Sequence, residues 1–251
     1  MQPQDTFKRY EKKYLLNAEK MQKLLPIIEE HMQLDEYGKH TICNIYLDTE
    51  NFALIRESIE KPVYKEKLRL RSYGVPTDSD TVFLELKKKF DGIVYKRRIA
   101  MPLKQAMDYL YEGKELEQKG QIPKELDYAI QKYKVHPAVY LSYERRAYYG
   151  KEQADLRITF DENILCREEK LDLREGSFGT PLLEESESIM EIKIPGTMPL
   201  WLSKALSENE IFPFSYSKYG TYYKKYIIPQ MLYNTKTNTA LWYKNYRRVL
   251  C

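Results

Sequence analysis

The sequence predicts an α+β fold: an antiparallel eight-stranded β barrel, closed on itself, with a basic interior and helices at the periphery. Three observations lead there. Eight segments of β character, at residues 7–16, 40–48, 64–73, 81–89, 93–100, 138–149, 154–161 and 187–194, alternate with turn signals and helical stretches, and eight strands are about the number that closes a small barrel. Within these segments Arg and Lys recur at i, i+2 spacing, with Leu and Ile in the alternate positions. The chain also holds 23 tyrosines, a residue that favours strands.

Successive side chains of a strand point to opposite faces, so each segment can be sorted in order. In 7–16, Arg9, Glu11 and Lys13 share one parity, while the other face, with Lys8, Tyr10, Lys12 and Tyr14, is mixed. Residues 18–32 carry Met21, Leu24, Leu25, Ile28 and Met32 on one helical face. A helix over 50–60 follows the strand at 40–48, with Asp48 or Thr49 as its cap. In "KLRLRSYG" (67–74), Arg69 and Arg71 lie opposite Leu68 and Leu70. After the turn "GVPTDSD" (74–80), "VFLELKKK" places Glu85 and Lys87 opposite Leu84 and Leu86. "DG" at 91–92 predicts a tight hairpin into "IVYKRRIA", where Lys96 and Arg98 share a face. Helices are expected at 103–112 and 123–133. Tyr143 and Arg145 share a face in 138–149, which ends at Gly150. Arg157 and Asp161 lie opposite Leu156, Ile158 and Phe160. Segment 162–186 reads as irregular or short strand. Glu191 and Lys193 lie opposite Met190, Ile192 and Ile194, and a helix at 199–209 follows. A polar, aromatic and basic tail closes the chain.

The simplest half-buried sheet would turn these charged faces to water. Like charges stacked across neighbouring strands are destabilising there. They become sensible if the sheet curls with its charged face inward around an anion and its apolar face outward beneath the helices. The inward cations are then Arg9, Lys13, Arg69, Arg71, Lys87, Lys96, Arg98, Arg145, Arg157, Lys193 and Lys218, against the acids Glu11, Glu85, Asp161 and Glu191. A formal net charge of +4 hides this local excess. Converging guanidiniums and ammoniums suit phosphate oxygens. A few carboxylates suit a hard divalent cation, Mn²⁺ or Mg²⁺, that bridges phosphates.

Other classes find little support. No apolar run approaches the roughly 20 residues of a membrane span, and the N-terminus lacks a signal-peptide core, so an unexported, cytoplasmic chain is expected. Three scattered cysteines and three scattered histidines form neither a disulfide framework nor a zinc set. No Walker loop, dinucleotide fingerprint or H-E-x-x-H occurs. The basic, tyrosine-containing "YKNYRRVLC" reads as a solvated tail, not a nucleic-acid arm.

The ordered pieces "FKRYEKKY" (7–14), "YLDTENFALIRE" (46–57), "LRLRSYG" (68–74), "FLELKKKFDGIVYKRRI" (83–99), "YERRAYY…DLRITFDENI" (143–164), "MEIKIPG" (190–196) and "FSYSKYG" (214–220) together resemble the catalytic domain of the VTC polyphosphate polymerases, among the CYTH-like triphosphate tunnel metalloenzymes. The resemblance runs from about residue 7 to 227 and divides the chain into a tunnel domain, 1–227, and a tail, 228–251. It implies an antiparallel eight-stranded tunnel with a basic interior. Lys13 corresponds to the lysine of the family's opening motif and Arg69 and Arg71 to its "RLR" clamp. Lys87 stands for the "ExK" lysine, Lys96 and Arg98 for "KxR", Tyr143 and Arg145 for "YxR", and Arg157 for the arginine of the next strand. Glu191 corresponds to the metal-ligating glutamate, and Ser217 and Lys218 to the "SK" of a helix that closes one end.

The activity implied is transfer of the γ-phosphate of ATP to a growing inorganic polyphosphate, with Mn²⁺ or Mg²⁺. Lys13, Arg69, Arg71, Lys87, Arg145 and Lys218 would act on the transferred group. Arg9, Lys96, Arg98, Tyr143, Arg157, Lys193 and Ser217 would bind phosphates, and Glu191 would hold the metal, with Glu11 and Glu85 as further candidates. The family's eukaryotic members add a regulatory domain and membrane segments that are not seen here, so coupling to export would need a membrane-protein partner. Residue 9 is Arg where the hydrolytic relatives carry the first acid of E-x-E-x-K, which favours polymerase over triphosphatase. A hydrolase of the same fold and a non-catalytic polyphosphate-binding module stay as alternatives.

Overall fold

The structure, a computed structural model, describes residues 10–91 and 93–233. Arg9, the turn residue Gly92 and residues 234–251 of the tail lie outside the described residues. All eight expected strands are present: β1 (Tyr10–Leu16), β3 (His40–Asp48), β4 (Tyr64–Tyr73), β5 (Thr81–Phe90), β6 (Ile93–Pro102), β7 (His136–Gly150), β8 (Arg157–Arg167) and β10 (Ser188–Ile194). Two short strands join them: β2 (Met32–Leu34) extends β7, and β9 (Thr180–Pro181) pairs with β8. The helices are α1 (Ala18–His31), α2 (Ala53–Ile59), α3 (Leu103–Glu112), α4 (Gln121–Tyr133), α5 (Leu200–Glu208) and α6 (Lys218–Tyr222). A wider helical turn over Tyr223–Ile227 continues α6, and helical backbone runs on to residue 233.

Every ladder is antiparallel, in the order β1-β10-β8-β7-β3-β4-β5-β6. The sequence led us to expect a closed barrel, and here the structure differs. Among the described residues no ladder joins β1 to β6. The physical reason lies on β1, whose outer edge is already used. The Phe214 amide donates to the Lys13 carbonyl at 2.9 Å, so an extended segment before α6 takes the place of a closing strand.

The inversion of faces is plain in the packing. Leu68, Leu70, Leu84 and Leu86 are fully buried outward, beneath Leu103 and Ala106 of α3 and Leu126 and Ala129 of α4. On the other half of the sheet, Ile158, Phe160, Met190 and Ile192 lie beneath Leu24 and Ile28 of α1 and Leu202 and Leu206 of α5. Each such leucine contributes about 1.5–3 kcal/mol by leaving water. The strands' apolar faces are thus held by helices outside the sheet, which leaves the inner face for polar groups.

Helix α2 begins at Ala53, three residues later than the sequence predicts, with Phe52 and not Asp48 or Thr49 in the cap position; those two side chains instead hold its first-turn amides from upstream. The Asp48 carboxylate accepts from the amides of Thr49, Leu54 and Ile55 at 2.8–3.0 Å, and Thr49 Oγ1 accepts from Ala53 N at 2.8 Å. Asp48 also accepts from Tyr219 OH at 2.9 Å, which ties α6 to the end of β3. A third apolar cluster, with Val139, Leu141, Ile164 and Ile189 from the strands and Tyr222, Tyr223 and Ile227 from the C-terminal helix, plugs part of the interior. Among the described residues no helix is long and apolar enough to cross a membrane.

Candidate functional site

Register assembles the site. On the inner face of β4, β5 and β6, Arg69 pairs with Glu85 and Glu85 with Arg98; one row on, Lys67 pairs with Lys87 and Lys87 with Lys96; beyond that, Lys65 pairs with Lys89. Glu85 is the buried acid at the head of this array. Its Oε2 accepts from Arg69 at 2.7–2.8 Å and its Oε1 from Arg98 at 2.5–2.6 Å, with Lys96 Nζ at 2.8 Å and Arg71 Nε at 3.9 Å. Burial pushes the Glu85 carboxyl up, but Arg69, Arg71 and Lys96 outweigh it and hold the group well below the usual carboxylate range. The Arg98 guanidinium also lies 4.2 Å from the Phe83 ring centroid. With three cations within 2.8 Å and both oxygens closely held, Glu85 has less room for a metal than Glu191, whose Oε2 has its nearest cation at 3.6 Å, and suits an organising counter-anion better than the metal ligand offered from sequence.

Lys67 was not singled out from sequence, although its parity with Arg69 was available. Its Nζ donates to Ser217 Oγ at 3.0 Å. Burial brings the Lys67 ammonium down to about 8, with Lys13, Lys65 and Lys87 adding repulsion against the pull of Tyr46. Tyr46 lies opposite Arg69 on β3. Burial would raise its phenol, but Arg69, Lys67 and Arg71 outweigh that and bring it to about 8. Lys87 and Lys89 are exposed, with no acid partner among the described residues.

The facing wall comes from β1, β10, β8 and β7. Lys13 pairs with Glu191 and Glu11 with Lys193 across β1 and β10. Lys13 Nζ stands 3.6 Å from Glu191 and 3.8 Å from Glu11, and Lys193 Nζ reaches Glu191 at 2.7 Å. Burial pushes Glu191 up, yet Lys193 and Lys13 hold it well below its ordinary range. Arg145 grips Asp161 with two bonds of 2.6 and 2.8 Å, and Lys218 Nζ reaches the same carboxylate at 2.5 Å. Tyr143 lies beneath both cations, with its ring centroid 5.1 Å from Arg145 Cζ and 4.5 Å from Lys218 Nζ. Arg157 is exposed at the rim, paired in register with Lys193.

Helix α6 enters this space by its N-terminus. Ser217 caps it, accepting from Gly220 N at 3.2 Å, and the Lys13 ammonium donates to the Tyr216 carbonyl at 3.1 Å. Gly220 lies close against its own cap: a Cβ there would stand 3.2 Å from Ser217 Cβ and Oγ, so Ser217 would have to shift by a few tenths of an ångström. Tyr219 stacks on Tyr46 at 4.8 Å, which makes it a packing residue between α6 and β3.

All the candidate residues within the described chain therefore reach the inner face or its rim. Whether they fit a metal is a narrower matter. Among the described residues no three His, Cys, Asp or Glu side chains cluster. The buried Glu191 carboxylate, the exposed Glu11 beside it and the buried Thr159 hydroxyl form a sparse oxygen set. Thr159 faces Glu191 in register, and its Oγ1 has no hydrogen-bond partner. Sparse sets of this kind fit Mg²⁺ or Mn²⁺, which take one or two carboxylates and complete their shell with substrate phosphates and water.

Comparison with known proteins agrees with the architecture. A candidate adenylate cyclase from Bacillus halodurans shares the fold, with a TM-score of 0.53 and 16% identity over 82% of this chain and 92% of that one. HpAC1 from Hippeastrum, a candidate adenylyl cyclase with a dominant triphosphatase activity, matches with a TM-score of 0.53 and 16% identity over 85% of this chain and 94% of its own. At such identities the likeness is one of fold. The VTC domain model matches residues 8–227, nearly the whole described chain. With the inward-facing cations and the sheet topology, that match places the chain in the VTC domain family, as its sequence motifs indicated.

Proposed function

We propose that the protein is a polyphosphate polymerase that transfers the γ-phosphate of ATP to the end of a growing inorganic polyphosphate. The observation that carries this is the lysine array itself. Lys67, Lys87 and Lys96 stand directly opposite one another on three strands, as do Lys65 and Lys89 on two. Such juxtaposition is unfavourable in an empty sheet and favourable around a polyanion. From Arg71 to Lys65 the inner face of β4 spans roughly 20 Å at the usual strand rise. That is longer than one triphosphate and leaves room for an acceptor chain beside the nucleotide.

In this reading Arg69, Arg71, Lys96 and Arg98, fixed by Glu85, grip the phosphates of the donor. Arg145, Lys218 and Lys13, fixed by Asp161 and Glu191, stabilise charge on the group in flight. A terminal oxygen of the acceptor chain attacks the γ-phosphorus, the bond to the β–γ bridging oxygen breaks, and ADP leaves. The nucleophile belongs to the substrate, so no side chain needs to form a covalent bond. A divalent ion held by Glu191, with Glu11 beside it, would supply charge neutralisation between phosphate oxygens.

Incubation of the purified protein with ATP and Mn²⁺ tests the reading. Long-chain polyphosphate with matching ADP is expected. Free phosphate as the sole phosphate product would assign a hydrolase, and tight polyphosphate binding without turnover would assign a binding module.

A further inference from the structure

The β5–β6 hairpin carries a feature that phosphate transfer does not use. Val63, Tyr64, Phe90, Ile93, Val94 and Tyr95 are between 44% and 66% exposed. They gather at one tip. Tyr64, Phe90 and Ile93 form a single row across three strands, with the Tyr64 and Phe90 rings 6.4 Å apart, and Tyr95 follows one row inward. Val94 projects from the opposite face, in the row of Lys89. The tip is therefore apolar on the face of Tyr64, Phe90 and Ile93, while on the other face Val94 stands in a row with Lys89 and Lys65.

Residues 87–96 hold four lysines and one acid, Asp91; Lys88 faces Glu66 and Glu125 and Lys96 meets Glu85, which leaves Lys87 and Lys89 as the uncompensated pair. Lys61, beside Val63, is exposed as well. Lys61, Lys87 and Lys89 pair with no acid among the described residues.

We propose that this tip is a docking element for an anionic lipid surface. An exposed apolar row flanked by exposed lysines that lack acid partners matches, in both polarity and charge, the interface of an anionic bilayer. Phe90, Ile93 and Val94 enter the boundary between headgroups and acyl chains, to a depth of about 5–10 Å for interfacial elements. Tyr64 and Tyr95 sit at headgroup level, as amphipathic rings prefer. Two residues of strand rise, roughly 7 Å, separate Ile93 from Tyr95, which sets the lysines level with lipid phosphates. Their stems lie along the apolar surface while their ammoniums meet the anionic leaflet. The proposal shares Lys87 and Lys89 with the polymerase reading but not its apolar anchors, since Tyr64, Phe90 and Ile93 lie on the face opposite the cation array.

The test is co-sedimentation of the full chain with vesicles of phosphatidylcholine alone and of phosphatidylcholine mixed with phosphatidylserine. Binding to the mixed vesicles is expected to exceed binding to neutral ones by about tenfold or more, and Phe90→Ser with Ile93→Ser should remove most of it. Both positions are exposed, so the fold tolerates the change, and circular dichroism checks this. An environment-sensitive dye on Ile93→Cys, in a Cys251→Ser background, should shift to the blue on vesicle addition. Absence of vesicle binding, or binding unchanged by the serine pair, overturns the proposal. So does a serine pair that alters the protein's mass by light scattering while vesicle binding stays the same, which would assign the tip to a protein interface.

Discussion

Replacing Glu85 by Gln keeps the side chain's shape and removes the charge that gathers four cations. Its oxygens contact Arg69, Arg98 and Lys96 at 2.5–2.8 Å while the carboxyl itself is only 2% exposed. Breaking a buried ion pair from one side costs about 3–5 kcal/mol. The cations keep some access to water, with side-chain exposures of 23%, 31% and 46%. Screening brings the cost to about 2–3 kcal/mol. For a chain of this size that is a melting temperature roughly 5–10 °C lower. A bound phosphate chain supplies the missing negative charge, so tripolyphosphate should raise the melting temperature of Glu85→Gln more than that of the wild type. The pH dependence has a definite sign. The folded Glu85 carboxyl titrates below its unfolded value, so its stabilising effect is complete above the ordinary glutamate range and fades as pH falls beneath it. The gap between wild type and variant should accordingly narrow below about pH 4. Scanning calorimetry with and without tripolyphosphate reads all of this. An unchanged melting temperature, or an equal ligand increment in both proteins, would refute the role assigned to Glu85.

Four further outcomes follow from the same geometry. Arg69→Ala should weaken tripolyphosphate binding by about 1.5–3 kcal/mol, the scale of a charge-assisted hydrogen bond, as read by titration calorimetry. Glu191→Gln should abolish Mn²⁺-dependent turnover of ATP and leave metal-free tripolyphosphate binding largely intact; normal turnover would remove Glu191 from the metal site. The Lys67 ammonium titrates near pH 8 in the empty protein, so polyphosphate affinity should fall as pH rises through that value, and Lys67→Met should flatten this part of the profile. Arg167 lies 3.4 Å from the Tyr140 ring centroid and 4.0 Å from that of Phe178, and it donates to the carbonyls of Lys170, Asp172, Gly176 and Phe178. A lysine cannot reproduce that fork. Arg167→Lys should cost about 2 kcal/mol and open segment 168–179 to limited proteolysis.

The strands were readable because their alternation is strict and their lengths ordinary. Leu68, Leu70, Leu84 and Leu86 mark one parity, and Lys67, Arg69, Arg71 and Glu85 the other. β2 and β9 escaped because two or three residues carry no period; each exists only through its partner strand. Closure escaped for a different reason. The number of strands bears on barrel size, but whether the last edge meets the first depends on what else reaches it, and here Phe214 reaches Lys13 first. In the site, parity revealed which cations face inward, yet not which acid holds which cation. The pairing of Asp161 with Arg145 and Lys218, and the charged surroundings of Tyr46, arise from register between distant segments. Gly179 is a similar case. Its φ of +143° and the 2.4 Å that would separate a Cβ from the Cys166 carbonyl oxygen are set by the β8–β9 approach, which no local pattern announces.

In the polymerase reading, the missing β1–β6 ladder has a bearing on how the polymer gets in and out. A ring must be threaded from a loose end, but a wall slit along its length works as a clasp. Among the described residues the segment before α6 is held to β1 by the Phe214 amide on the Lys13 carbonyl and by the Lys13 ammonium on the Tyr216 carbonyl. A long chain could thus be seized in mid-length and let go sideways, and the residues that govern release would then sit along the lip of the slit and not at either mouth.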